Sequence, residues 1–256
     1  MAAGNSKRKD RPDRNRSTHR DTVVADNPTM MPDEHVDAFY GALATSNPEP
    51  ATELAFTDAY TLLVAVVLSA QATDVSVNRI SGSLFEVADS PEKMLQLGEE
   101  GLRHRIRTIG LFNNKAKNII ALSRALIERH GGKVPGDRAA LEALPGVGRK
   151  TANVVLNVAF EQPTIAVDTH AFRVANRTGL APGRTPGEVE RGLMARTSER
   201  WLRNAHHWLI LHGRYVCKAR RPECWRCAVR DLCVYPDKTE TPADPPSIRS
   251  ARAERS

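Results

Sequence analysis

Leu144-Pro145-Gly146-Val147-Gly148-Arg149-Lys150-Thr151 separates two helical patterns, a short one over Asp137 to Ala143 and a longer one over Arg149 to Phe160. The order is therefore helix, tight glycine hairpin, helix. Gly146 and Gly148 permit positive φ and leave the backbone amides unobstructed. Those amides and the start of the second helix can hold a phosphate oxygen without reading base sequence. A Walker loop is excluded, because it needs four residues between its first glycine and Gly-Lys. Taken alone, the glycines also suit a plain helix-turn-helix corner.

Helical patterning continues on both sides. Asn114 to His130 places Ile119, Leu122 and Leu126 on one face and stops at Gly131-Gly132. Thr185, Pro186 and Glu188 form a capping signal, with proline at the first helical position and Glu188 completing the box. Trp201, Ala205, Trp208 and Leu209 give a further apolar stripe, which Gly213 is expected to end. Thr61 to Leu68 is rich enough in valine for a buried strand. Its length and the lack of hairpin partners select a buried helix instead. Gln71 then falls in a short connection before a helix opened by Thr73 and Asp74. The expected class is all-α.

Lys150 opens the helix after the hairpin. A cation there meets the positive end of the helix dipole, which disfavours its charged form. A nucleophilic amine needs that bias; a lysine that binds phosphate does not. Asp168, in Val167-Asp168-Thr169-His170, precedes another helix and suits its N-cap. One carboxylate can both cap a helix and assist a reaction. His170 is read as structural.

All four cysteines, Cys217, Cys224, Cys227 and Cys233, fall in one window spaced C-x6-C-x2-C-x5-C. An extracellular disulfide framework would scatter them. Four thiolates on a short irregular loop suit a four-coordinate metal or a cluster. Structural zinc usually takes two close pairs. Only Cys224 and Cys227 form such a pair, which favours an iron–sulfur cluster.

Charge is clustered as well. The 256 residues carry 37 Lys and Arg against 30 Asp and Glu, a net charge of +7. Seven basic and two acidic residues fall in the first twenty, and six and two between Gly213 and Pro236. Concentrated basicity points to a polyanion, nucleic acid first, or to a solubilising tail. Residues 1–30, basic and poor in large apolar side chains, and 237–256, rich in proline and charge, are expected to be disordered tails. Met30 and Met31 stand where the core begins and offer a later start than Met1. The longest apolar run, Leu62 to Leu68, is far below the ~20 residues of a membrane span. No apolar stretch follows the first basic residues, as a secretory signal requires. A soluble intracellular protein is expected.

Leu68-Ser69-Ala70-Gln71-Ala72-Thr73-Asp74, the hairpin through Lys150, Thr164-Ile165-Ala166-Val167-Asp168-Thr169-His170 and the four-cysteine loop together resemble one family. It is endonuclease III, the helix-hairpin-helix DNA glycosylases with an iron–sulfur cluster. The likeness runs from about Pro32 to Tyr235. It implies two helical subdomains flanking a cleft. Residues 52–164 would form a helical bundle with the hairpin, and residues 31–51 and 165–236 would carry a [4Fe-4S] cluster on the four cysteines. Lys150 and Asp168 would line the cleft.

The same resemblance implies a bifunctional DNA glycosylase and abasic-site lyase of base excision repair. Its substrate would be duplex DNA with an oxidised or ring-saturated pyrimidine, which must leave the stack before it can be attacked. Lys150 would attack the sugar C1′ and form a Schiff base, and Asp168 would stabilise positive charge or handle protons. β-Elimination would then cut the strand 3′ to the abasic site. Gln71 and Leu111 match positions that fill the vacated stack. Gly146 and Gly148, and Lys218, Arg220 and Arg221 in the cysteine loop, would meet the DNA backbone. A monomer acting on damaged double-stranded DNA at the nucleoid, in a bacterial-type cytoplasm and without a membrane, is further implied.

Three rivals make different demands. An adenine mismatch glycosylase would lack the lysine and carry a further C-terminal domain. A pyrimidine-dimer glycosylase would differ in pocket shape. A non-catalytic DNA-binding module would need no pairing of Lys150 with Asp168.

Overall fold

The computed structural model describes residues 29–241. Of the tails expected over 1–30 and 237–256, residues 1–28 and 242–256 lie outside the described residues. Those described contain ten α-helices, one 3-10 turn and no strand.

The first hydrophobic cluster grows around α2 (Ala59–Ser69), following α1 (Asp33–Ser46) in the chain. Every residue of α2 from Tyr60 to Leu68 is buried, as a helix apolar on all sides must be. Asp58 caps it, accepting from the Thr61 amide at 2.8 Å while the Thr61 hydroxyl returns the bond. Around it lie α3 (Asp74–Phe85), α4 (Pro91–Ile106), α5 (Phe112–His130), the short α6 (Arg138–Glu142) and α7 (Arg149–Phe160). Ile119, Leu122 and Leu126 face this core from α5, which ends at Gly131 in the left-handed region.

The second cluster joins Met31 and α1 to α8 (Thr169–Thr178), α9 (Pro186–Arg196) and α10 (Glu199–Tyr215), and reaches Val229. The chain crosses from one cluster to the other at Thr164–Ala166: Ile165 packs in the second and Ala166 in the first.

Four details differ from the sequence reading. Gly213 does not end α10, which runs on to Tyr215. Instead it lets two helices meet, because a Cβ there would lie 2.8 Å from the His170 Cβ on α8. Glu188 makes its shortest return bond one residue before the cap: its carboxylate accepts from the Arg184 amide at 2.8 Å. Gly148 does not use the left-handed region, since its φ is −99°. Finally, the chain keeps contacts past residue 236. The Thr239 hydroxyl bonds the Pro222 carbonyl and accepts from the Cys224 amide, and Arg230 holds the Thr239 carbonyl and Glu240. The expected tail boundary at 237 therefore falls too early.

Candidate active site and cysteine loop

The hairpin comes first. Val147 anchors it in the core, and its amide bonds the Leu144 carbonyl at 3.1 Å. Gly146 has φ 77°, and a Cβ there would strike Asn118 at 2.8 Å, so glycine is required twice over. Gly148 precedes α7 with no side-chain cap. The first amides of α7 are thus left at the exposed end of a helix, where an anion is favoured.

Lys150 sits in the first turn of α7. Asn153 and Asn157 follow it at helical spacing and share its face. Both asparagines are buried and grip the crossing segment: Asn157 Nδ2 donates to the Thr164 carbonyl at 3.0 Å, and Asn153 Nδ2 to Ile165 at 3.2 Å. His206 on α10 meets the next carbonyl, Ala166, at 3.1 Å. A carbonyl only accepts, so His206 carries a proton on Nδ1. Burial keeps this imidazole neutral, lowering its pKa to about 3. Three successive carbonyls are therefore pinned just before Asp168.

Asp168 then caps α8. Its Oδ1 accepts from the His170 and Ala171 amides, both at 2.8 Å. Its Oδ2 has no hydrogen-bond partner among the described residues, so capping uses only half of the carboxylate. Lys150 and Asp168 line one cleft, whose empty space of about 510 Å³ is open to solvent.

The same cleft holds residues to which the sequence reading gave no role. Asp74, from α3, is half-buried and pairs with Arg214 of α10 at 2.8 Å. Burial raises its carboxyl pKa, Lys150 counters this and Asp168 adds to it. Ser69 and His207 line the cleft as well. Asp74 stood in the Leu68–Asp74 stretch and His206-His207 inside the Trp201–Leu209 stripe. Capping and core packing account for them there, so nothing in the local pattern marks them as cleft residues. His170 Nδ1 lies 3.2 Å from Arg173 Nη2.

Gln71 and Leu111 are not among the residues lining that cleft, although Ser69 and Asp74, on either side of Gln71 in the chain, are. Gln71 joins α2 to α3 with φ 54°, and Leu111 precedes α5 with φ 59°. Left-handed backbone is uncommon outside glycine, and for leucine it is a strained choice. Leu111 is nevertheless 54% exposed.

The cysteine loop is held by α8, whose other end is Asp168. Arg173 Nε donates to the Cys217 carbonyl at 2.9 Å. Arg177 donates to the Lys218 and Ala219 carbonyls at 2.7 Å and approaches Cys217 Sγ at 3.7 Å. The four thiols ring a cavity of about 350 Å³. Among the described residues no three His, Cys, Asp or Glu side chains converge on a single ion. Four cysteine thiols lining one pocket are a donor set that an iron–sulfur cluster takes. Burial pushes the Cys227 thiol up to about 11, so in the absence of a bound cation it keeps its proton. Lys218 is not a free charge: it pairs with Glu223 at 2.6 Å, while Arg220 and Arg221 stay exposed.

A profile of the HhH-GPD superfamily, described as base excision DNA repair proteins, matches residues 64–199. Endonuclease III of Rickettsia conorii is 58% identical over 200 residues, covering 78% of this chain and 95% of its own. The Escherichia coli K12 enzyme is 58% identical over 198 residues, with 77% and 94% covered. The chain belongs to the endonuclease III family. A solved structure of an endonuclease III trapped covalently on DNA superposes with a TM-score of 0.77 at 43% identity, covering 80% of this chain and 97% of its own. As a family member the protein is a DNA N-glycosylase and abasic-site lyase of base excision repair. No helix among the described residues is long and apolar enough to cross a membrane.

Proposed function

We propose that Lys150 is the nucleophile and Asp168 its charged partner in the removal of oxidised or ring-saturated pyrimidines from duplex DNA. The observation that carries this reading is their sharing of one cleft, with half of the Asp168 carboxylate left free. The damaged nucleotide turns out of the stack into that cleft. The Lys150 amine attacks C1′, the base leaves, and the ring-opened sugar is held as a Schiff base. Asp168 stabilises the positive charge that develops at the sugar. Loss of a C2′ proton then expels the 3′ phosphate.

The uncapped start of α7 beside Gly146 and Gly148 holds a backbone phosphate. Arg220 and Arg221 add charge at the cysteine loop, and Lys218 does so only by sharing itself with Glu223. Gln71 and Leu111 fill the space the nucleotide leaves. Cys217, Cys224, Cys227 and Cys233 hold a [4Fe-4S] cluster, which when bound shapes the basic loop and performs no step of the reaction. Residues 31–51 with 165–236, and residues 52–164, act as the two walls of the cleft. The enzyme works as a monomer on nucleoid DNA in a bacterial-type cytoplasm.

Borohydride trapping on a duplex with a single oxidised pyrimidine tests the nucleophile. The wild-type protein should give a covalent complex and Lys150→Gln none. A trapped Lys150→Gln complex would assign the nucleophile to another amine.

A further inference from the structure

Lys115 is the only lysine or arginine buried among the described residues, with 5% of its surface exposed. Burying an ammonium is costly unless a specific bond offsets it. Its Nζ donates to the Leu68 carbonyl at 2.9 Å, in the last turn of α2. There the neighbouring carbonyls have partners of their own. Val66 accepts from the Ser69 hydroxyl at 2.9 Å, and Val67 and Ser69 accept from the Ala70 and Ala72 amides. Leu68 has Lys115. The ammonium also sits at the negative end of the α2 dipole.

The other end of Lys115 is equally placed. Its backbone amide donates to the Leu111 carbonyl at 3.1 Å, which starts the hydrogen bonding of α5. One residue thus bonds the chain just before Gln71 and just at Leu111. The two connections also lie side by side, since a Cβ on Gly110 would be 3.9 Å from the Gln71 carbonyl. Both tips adopt left-handed backbone, which persists only where the surroundings hold it.

We infer that Lys115 is a positioning residue whose buried ammonium ties the end of α2 to the start of α5 and so sets the spacing of Gln71 and Leu111 before DNA arrives. This rests on the reading of those two residues as the ones that fill the vacated stack. A pre-set pair avoids ordering two loops at the moment of insertion. Lys115 itself touches neither base nor sugar.

Lys115→Met keeps the length and removes the donor. It is compared with wild type on a duplex carrying one oxidised pyrimidine and on a single-stranded oligonucleotide carrying an abasic site, where no partner strand leaves a gap to fill. Base release from the duplex should fall at least about tenfold, with single-strand cleavage within about twofold of wild type. A 2-aminopurine beside the lesion should report reduced unstacking. Lys115→Arg, which keeps a donor, should recover part of the loss, and it carries the same comparison if Lys115→Met does not fold. Equal losses on both substrates, or full duplex activity, would overturn the inference. Gln71→Ala and Leu111→Ala run alongside. If they spare duplex activity, the stack-filling reading falls and takes this inference with it. If they lose it while Lys115→Met does not, only the role of Lys115 falls.

Discussion

The Glu190 carboxylate accepts two hydrogen bonds from Arg149, 2.8 Å from Nε and 2.9 Å from Nη2. Arg149 is the residue before Lys150, and Glu190 belongs to α9 in the other hydrophobic cluster. The fork therefore fastens the start of α7 to the half that carries the cysteine loop. Only 8% of the Glu190 side chain is exposed, against 53% for Arg149. Burial alone would raise the Glu190 pKa, but hydrogen bonds from Arg149 and Asn153 and the charges of Arg149 and Arg138 together outweigh it and hold the carboxyl below its ordinary value.

Glu190→Gln keeps the shape and removes the charge. It should destabilise the protein by about 1–3 kcal/mol at neutral pH, read by urea unfolding. The charge contributes fully above the ordinary glutamate value of 4.5 and is lost as pH falls through the lower folded value. The gap between wild type and variant should therefore narrow as pH falls below 4.5. A gap that stays constant into that range would mean the ion pair contributes little.

Asp168→Asn separates capping from catalysis. Asparagine caps as well as aspartate, so stability should change by less than about 0.5 kcal/mol. Base release should fall by about a hundredfold or more, because a charge facing a developing cation in a water-poor site is worth several kcal/mol. Cleavage at a pre-formed abasic site, which skips base release, should lose less. Equal base-release rates for the two residues would leave Asp168 a helix cap alone.

The cysteine loop makes a compositional prediction. Purified protein should be yellow-brown and hold about four irons per chain. Cys224→Ser should lose colour and bind duplex DNA more weakly, since Arg220 and Arg221 ride on the same loop. Stoichiometric zinc in a colourless, DNA-binding protein would exclude the cluster.

His206 predicts acid sensitivity. Burial lowers its pKa to about 3, while the unfolded chain protonates it near 6.5. Its contribution is complete above the unfolded value and is lost as pH falls toward the folded one, by up to about 1.4 kcal/mol per pH unit. His206→Gln should flatten the decline in stability between pH 6.5 and about 4 relative to wild type. An unchanged slope would place the acid sensitivity elsewhere.

Periodicity and capping made most of the helices legible. The Arg149–Phe160 helix agrees residue for residue with α7, and the apolar run of Thr61 to Leu68 became the buried core of α2. Local rules went wrong where a distant element intervened. Gly213 reads as a helix stop because glycine favours ends, yet here its missing side chain admits α8. Thr239 reads as tail because its neighbours are prolines and charges, yet it bonds a loop fifteen residues back.

Legible in the chain alone were an all-helical class, a glycine hairpin followed by a lysine, an aspartate before a helix and four clustered cysteines. Each follows from bonds between near neighbours, and side-chain spacing records these directly. Packing between distant helices put Lys150 and Asp168 in the same cleft as Asp74 of α3 and His206 and Arg214 of α10. It alone set the fork of Glu190 on Arg149 and the reach of Lys115 to Leu68, 47 residues away. Such contacts are fixed by how helices pack, and a buried charge written in a helical pattern carries no mark of the carbonyl or carboxylate it will meet.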